Sequence, residues 1–312
     1  MRVALLVLMM FGAGLAHAES DLGAAIENTR VACGGISDEL SDMKTKAGIN
    51  TAVTSVGTVA GGVALGTGIA KANVDKEIAE LESEIERLRI ANADVPVETI
   101  TIADTIAFNR ELKDFAMTYS AQIESMEQDL ATADEKSRKL GNWRTGMLAT
   151  STATNIAGAV VAGVNKVKGD LKSQIDECLQ SVKTLSAVRM QARIENSATV
   201  DDLARAEKIV SACDAWSTVD ISVINKKSAG AATSAGVGAG LGIAGTITSA
   251  SANSQSVRDG DDKREKNLNT AANVLAGGTT IASGVATVFN ATQIGAIKRA
   301  ASVADECEGA LR

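Results

Sequence analysis

Four long segments without a charged residue constrain the fold of this chain more than any other feature. They are residues 47–70, 145–165, 228–257 and 267–297, and together they hold 19 of the 28 glycines. Each is long enough to cross a bilayer as a helix, which takes about 20 residues. An interior glycine destabilises a water-exposed helix by roughly 1 kcal/mol relative to alanine. We therefore expect close backbone packing to offset the cost of these glycines.

Small residues recur every four positions within each segment, which places them on one helix face. Side chains no larger than threonine let two helix backbones approach closely, and membrane helices associate in this way. We predict an all-α fold of antiparallel hairpins that pack through these small-residue rows. The predicted rows are Thr58, Gly62, Gly66 and Ala70; Thr154, Gly158 and Ala162; Ser234, Gly238 and Gly242; and Ala272, Ala276, Thr280 and Gly284.

The overall composition agrees with packing by small side chains. Hydrophobic residues make up 45% of the 312 residues, yet aromatic residues make up only 2% and there is a single proline. The 31 basic and 38 acidic residues give a net charge of -7. Nucleic acid is therefore not an expected partner, because it attracts basic surfaces.

Polar side chains inside the charge-free segments leave two interpretations open. Asn50, Asn155, Asn273 and Gln293 accompany many Ser and Thr residues, so the hydrophobicity is marginal and the segment 228–257 need not span a membrane. Marginal hydrophobicity is compatible with export, since a more apolar segment would halt translocation. The alternative is a water-soluble Ala/Gly helical bundle. Helix length slightly favours membrane insertion or peripheral membrane contact.

The N-terminus has the pattern of a secretory signal peptide. Arg2 precedes an apolar run over residues 3–15, and residues 16–18 form a small-x-small cleavage site. We predict a signal peptide over residues 1–18 and export to the periplasm, the outer membrane or the extracellular space. An uncleaved anchor would need about 20 apolar residues. The single histidine, His17, lies inside the predicted signal peptide.

A mature chain without histidine excludes most hydrolytic mechanisms. Ser-His and Cys-His nucleophiles and His-ligated metals all need an imidazole. Ser-Lys dyads and paired carboxylates remain possible, but no spacing singles one out. Gly240, Gly242 and Gly245 match the letters G-x-G-x-x-G without the preceding strand that a dinucleotide site requires. We therefore expect no enzymatic activity, no cofactor and no metal.

The four cysteines favour disulfide bonds, because an even number in an exported chain usually pairs. They are Cys33, Cys178, Cys213 and Cys307. Their separations of 145, 35 and 94 residues contain no C-x-x-C pair. This spacing argues against a four-cysteine zinc site.

The order of elements around the cysteines indicates an internal duplication. A cysteine, an apolar segment, a charged connection, a second apolar segment and a second cysteine follow one another twice, and Asp-Glu-Cys ends both units, at 176–178 and 305–307. If each unit is an antiparallel hairpin, its cysteines lie at similar heights, which predicts Cys33 bonded to Cys178 and Cys213 bonded to Cys307. The alternative is that the shared tripeptide arises by chance.

Residues 73–140 are predicted to form an antiparallel coiled-coil hairpin. Apolar residues step by three and four positions along both arms, with a tip near residues 92–101 that contains Pro96. The apolar tip suggests either a docking surface or the packed start of the returning helix. The predicted seams are Val74, Ile78, Leu81, Ile85 and Leu88, and Leu112, Ala116, Tyr119, Ile123, Met126, Leu130 and Ala133.

The two tryptophans have two interpretations. Trp143 and Trp216 lie near the ends of apolar segments or in the cysteine-bearing stem. An indole there marks a membrane interface or packs within the stem.

These observations predict two unequal helical hairpin units, residues 19–195 with the coiled-coil insertion and residues 196–312. The expected function is that of an exported structural or membrane-interacting protein of the bacterial cell envelope, which self-associates through small-residue helix faces. The expected partners are a membrane surface and other proteins or copies of the chain. The alternative is a soluble periplasmic or secreted binding scaffold with the coiled coil as its interaction arm.

Overall fold

The computed structural model describes residues 18–93, 102–258 and 262–312. The predicted signal peptide lies outside the described residues except for Ala18, as does most of the predicted tip around Pro96. The side chains of Leu112, Ala116 and Tyr119 in the returning seam also lie outside them.

The described residues form eight α-helices and no strand, so the predicted all-α fold is confirmed. A short 3-10 helix over Asp214–Thr218 joins the fifth and sixth helices. The α-helices are α1 (Ala18–Cys33), α2 (Ile36–Ala93), α3 (Ile102–Val164), α4 (Gly169–Glu195), α5 (Val200–Cys213), α6 (Ile221–Ala252), α7 (Gln255–Arg258) and α8 (Asp262–Leu311).

Local chemistry explains several helix boundaries. Gly35, with φ of +84°, turns the chain between α1 and α2, where a side chain would be strained. Asn196, with φ of 51°, ends α4 in the left-handed conformation. The Thr199 hydroxyl accepts the Asp202 N–H at 3.1 Å and caps α5. Before α6, hydrogen bonding from Ser222 lowers the pKa of Asp220 below its ordinary value.

Contacts between helices show two antiparallel hairpins. In α2 and α3, Asp75 accepts a hydrogen bond from Ser137, and Arg89 pairs with Glu127 further along. Partner numbers rise on α2 as they fall on α3, which is the signature of antiparallel packing. The pair α6 and α8 behaves likewise, since Gly238 faces Ala282 and Gly245 faces Leu275.

The chain divides into two compact units, and each unit consists of several separate stretches of the sequence. The first consists of Met1–Ser55, Ile156–Gly236 and Gly284–Arg312, and the second of Val56–Asn155 and Val237–Ser283. Each unit takes residues from both hairpins. The predicted hairpin units, residues 19–195 and 196–312, are defined by a repeat in the sequence, and the boundary between them stays a prediction.

The first unit has a conventional apolar core. Its centre consists of buried apolar side chains from α1, the start of α2, α4, α5, the start of α6 and the end of α8. Trp216, 2% exposed, belongs to this core, so its indole packs within the stem. The largest fully buried apolar residues of this core are Leu22, Ile36, Leu40, Leu171, Ile175, Leu185, Ile209 and Ile224.

The described part of the predicted coiled coil follows its heptad pattern. Val74, Ile85 and Leu88 are buried on α2, and Ala133 is buried on α3. The remaining described seam residues are half-buried: Ile78, Leu81, Ile123, Met126 and Leu130. The fold therefore includes the coiled-coil extension of the first hairpin.

Candidate functional site

The interior of the first unit is polar where the charge-free segments meet. Asn50 and Asn290 are both buried, and the Asn50 amide donates to the Asn290 oxygen at 2.8 Å. The Asn290 amide donates in turn to Thr54 Oγ1 at 3.3 Å. Nearby, the Gln293 amide donates to the backbone oxygen of Asn165 at 2.9 Å. Side-chain amides therefore hold these helices together in place of bulky apolar groups.

Polar side chains also hydrogen-bond between helices in the interior of the second unit. The Ser151 hydroxyl donates to the Gly57 carbonyl at 2.8 Å, where glycine leaves room for the contact. The Ser283 hydroxyl donates to Asn155 Oδ1 at 2.9 Å. These residues are buried, so each hydrogen bond offsets the cost of burying a polar group.

A buried ion cluster lies at the end of the charge-free segment on α2. Lys71 is completely buried, and its ammonium group lies 2.8 Å from Asp75 and 2.9 Å from Glu265. Ser137 donates to Asp75 at 2.6 Å, and the Asn269 amide approaches Glu265 at 3.3 Å. Because two carboxylates face one ammonium, the cluster fastens α2 to α8 at this level.

Arg144 is a second buried basic side chain in the same unit. Its guanidinium donates to Ser249 at 2.8 Å, to Asn269 at 2.7 Å and to Asn273 at 3.3 Å. These partners belong to α6 and α8, so one side chain of α3 contacts two neighbouring helices. Arg144 and Lys71 are the two basic side chains without exposure among the described residues.

We expect Lys71→Ala to lower the free energy of unfolding by about 3 kcal/mol, because it leaves Asp75 and Glu265 facing each other in a partly buried place. Urea unfolding followed by circular dichroism measures this loss. The matched control is Lys76→Ala, since Lys76 is exposed and its contact with Glu80 is 3.4 Å. That change should stay within about 0.5 kcal/mol of the parent. Equal losses in the two variants would contradict a stabilising role of the cluster.

These ionic residues are not among the sites predicted from the sequence. Lys71 directly follows the segment 47–70, Arg144 directly precedes 145–165, and Glu265 lies two residues before 267–297. Charges at the ends of charge-free helices meet when the helices pack antiparallel. Their flanking positions are therefore the signal that could have found them.

The outer faces of the charge-free helices carry branched apolar side chains. Valine and isoleucine point outward along all four long helices. The buried positions between them are mostly Gly, Ala, Ser, Thr and Asn, with Leu148 as a large apolar exception. The exposed residues are Ile49, Val56, Val59, Val63, Ile69, Ile156, Val160, Val164, Val237, Ile243, Ile247, Val274, Ile281, Val285 and Val288. Polar residues inside and large aliphatic residues outside invert the arrangement of a water-soluble protein.

Three helical stretches among the described residues are long and apolar enough to cross a membrane by length and composition. They lie within Asp21–Ile90, Ser120–Glu195 and Lys263–Leu311. In their most apolar windows only 33%, 33% and 28% of the residues are buried. Most residues of each window are therefore exposed or half-buried.

Three of the predicted small-residue rows take part in helix packing. A side chain on Gly158 would meet Thr54, and one on Gly238 or Gly242 would meet Asn155 or Thr152. Ala162, Ala272 and Ala276 are buried. Thr154, Ser234, Thr280 and Gly284 are half-buried at the edges of the same contacts.

The row predicted on α2 needs a correction. Gly62 and Gly66 are exposed, and a Cβ built on either meets no atom within 4 Å, while Thr58 and Ala70 are half-buried. The glycines that pack are Gly57, Gly61 and Gly68, which contact Thr154, Thr280 and Asn273. Two glycine rows lie side by side on this helix, and four-residue spacing alone does not tell which one faces inward.

The two tryptophans have different surroundings. Trp216 is buried in the stem core, whereas Trp143 is 60% exposed. Trp143 lies two residues before the segment 145–165. It is therefore a surface indole at the edge of a charge-free helix.

All four cysteines lie in the first unit and are paired as the duplication hypothesis predicts. Cys33 is bonded to Cys178 and Cys213 to Cys307, with Cα atoms 4.7 Å and 4.5 Å apart. The first bond joins α1 to α4, and the second joins α5 to α8. Both bonds are buried.

An open groove with a volume of about 530 Å³ lies between α1 and α4. Asp21, Glu177 and Glu195 contribute carboxylates to its walls, together with Ser, Thr, Asn and Gln side chains. The groove contains none of the predicted helix-packing residues.

No family model, curated protein or solved structure matches this chain. The distribution of side chains in the fold is therefore the basis for proposing a function.

Proposed function

We propose that this is an exported, non-enzymatic protein of the bacterial cell envelope that inserts its charge-free helices into a lipid bilayer. The observation that carries the proposal is the inverted distribution of side chains in these helices. Asn50, Asn155 and Asn290 are buried, while Val59, Val160 and Ile281 are more than half exposed.

Lipid accounts for this inversion more simply than water does. Each exposed apolar surface costs roughly 25 cal/mol per Å² in water, and that cost disappears against hydrocarbon chains. Conversely, polar side chains in a bilayer face the bundle interior and hydrogen-bond across helices. The exposed valines and isoleucines fit the first rule, and the buried asparagines fit the second.

Hydroxyl groups near the outer faces support the proposal. Thr67, Thr150 and Thr292 each donate to the backbone carbonyl four residues earlier, at 3.0, 3.1 and 3.0 Å. A threonine satisfied by its own helix needs no water. It therefore leaves no unpaired donor when the helix surface is covered by lipid.

Residues at the ends of the charge-free segments have the properties expected at a membrane interface. The exposed indole of Trp143 has the amphipathic character that membrane interfaces favour. The buried ammonium of Lys71 pairs with two carboxylates, and the buried guanidinium of Arg144 is hydrogen-bonded within the protein, as ionisable residues near a bilayer require.

The proposal includes self-association, which the outward row on α2 supports. Gly62 and Gly66 leave a flat exposed strip where another helix backbone can approach closely. Chemical crosslinking of the protein in vesicles, compared with detergent solution, tests this part.

Binding to lipid vesicles tests insertion. The full chain, purified without its signal peptide, is expected to float with phosphatidylethanolamine–phosphatidylglycerol vesicles. Vesicles with brominated acyl chains should quench its fluorescence through Trp143, and Trp143→Phe should abolish most of the quenching because Trp216 is buried. A protein that stays in the aqueous fraction and is not quenched would reject insertion and favour the soluble scaffold.

A charge on the outer face should weaken membrane binding. Val160→Lys introduces an ammonium at a position that is 62% exposed, and a lysine in the centre of a spanning helix costs about 3 kcal/mol. We expect flotation of this variant to fall at least tenfold while its helicity in water is unchanged. Val200→Lys is the control, because Val200 is exposed at the start of α5, outside the charge-free helices. Equal flotation of both variants would contradict the proposed membrane face.

A further inference from the structure

The two disulfides form one sulfur cluster. The sulfur atoms of Cys33, Cys213 and Cys307 all lie within 4.8 Å of one another, and Cys178 is bonded to Cys33. Each of the four side chains is at most 1% exposed. They come from four different helices, α1, α4, α5 and α8.

We propose that the chain, before its disulfides form, binds one thiophilic divalent cation such as Zn²⁺ through these four cysteines. In the binding step four thiols exchange their protons for the cation, so four Cys–SH groups and M²⁺ give a tetrathiolate complex and four protons. No electron is transferred.

The dimensions of the cluster suit tetrahedral thiolate coordination. A Zn–S bond of about 2.3 Å places neighbouring sulfur atoms about 3.8 Å apart. Three of the four sulfur atoms are already within 4.8 Å of one another. Once reduced, the sulfur atoms of each bonded pair would separate to the spacing that the cation requires.

The surroundings select a soft cation. The cluster belongs to the apolar core of the first unit, among Ile36, Ile175 and Ile209. Thiolates bind Zn²⁺ and similar cations and disfavour Mg²⁺ or Ca²⁺. The wide separation of the cysteines along the chain does not oppose this site, because four helices rather than two C-x-x-C loops bring the sulfurs together.

A cobalt titration tests the proposal. The full chain without its signal peptide is reduced by a phosphine in denaturant and diluted anaerobically into buffer that contains Co²⁺. We expect one Co²⁺ per chain, with thiolate-to-cobalt charge transfer and the visible bands of a tetrahedral site, and displacement by Zn²⁺. The oxidised chain should give no such spectrum.

Two variants distinguish a four-cysteine site from nonspecific binding of Co²⁺ by single thiols. Cys178→Ala should weaken Co²⁺ binding at least tenfold, and the double variant Cys33→Ala, Cys178→Ala should weaken it at least a hundredfold. Unchanged affinity in Cys178→Ala would reject coordination by four sulfurs. Binding of equal strength in denaturant would reject a site made by the fold.

Circular dichroism tests cation binding whether the reduced chain is folded or unfolded. If the reduced chain is helical, the cation should raise its melting temperature, and if it is unfolded, the cation should restore helicity. A reduced chain whose helicity and melting temperature are the same with and without Zn²⁺ would overturn the proposal.

Discussion

Replacing both Cys33 and Cys178 by alanine is expected to lower the free energy of unfolding by about 4 kcal/mol. The bond closes a loop with a sequence separation of 145 residues, so its loss restores much conformational freedom to the unfolded chain. Alanine avoids burying an unpaired hydroxyl in a core where both cysteines are at most 1% exposed.

Denaturant unfolding of the two oxidised proteins, followed by circular dichroism, measures this difference. The matched variant Cys213→Ala, Cys307→Ala removes a bond of sequence separation 94 and should cost slightly less. Unchanged midpoints for both double variants would show that the bridges do not stabilise the first unit. Peptide mapping of the parent under non-reducing conditions checks the pairing, and a Cys33–Cys213 peptide would contradict it.

Replacing Gly61 by leucine is expected to destabilise the protein by about 3 kcal/mol. A Cβ on Gly61 would lie 2.7 Å from the Thr280 hydroxyl oxygen and 3.3 Å from the Thr280 Cα atom. The backbone of α8 must therefore move away, and overpacking of this kind costs about 1 to 3 kcal/mol or more.

The neighbouring residue provides the control, because the same substitution at Gly62 should leave stability unchanged or raise it by up to about 1 kcal/mol. A Cβ there meets no atom within 4 Å, and leucine favours the helix more than glycine does. Thermal unfolding followed by circular dichroism, with both variants in the same solvent, gives the comparison. A larger loss at Gly62 than at Gly61 would show that the row predicted from the sequence, and not the row in the structure, carries the packing.

Those features of the fold that depend on local pattern could be predicted. Small residues that recur every four positions in the charge-free stretches predict helices, and the three- and four-residue steps from Val74 to Leu88 predict a coiled-coil seam. The cysteine pairing followed from the repeated order of elements, since antiparallel arms bring equivalent positions together.

The buried ion cluster and the sulfur cluster could not be predicted in the same way. Lys71 and Glu265 are 194 residues apart, and Cys33 approaches Cys213 from a different hairpin. Such contacts depend on which helices become neighbours and at what height. Neither property is encoded in the periodicity of a single helix.

The sequence by itself determined that this chain is helical, that its helices carry small-residue rows and that Cys33 pairs with Cys178 and Cys213 with Cys307. The tertiary structure alone decided which row on α2 faces inward. A helix with glycines on two adjacent faces can pack through either, and the choice of Gly57, Gly61 and Gly68 depends on the Thr154, Thr280 and Asn273 side chains that meet them. The same choice turns the valines and isoleucines outward, which is the arrangement on which the proposed function rests.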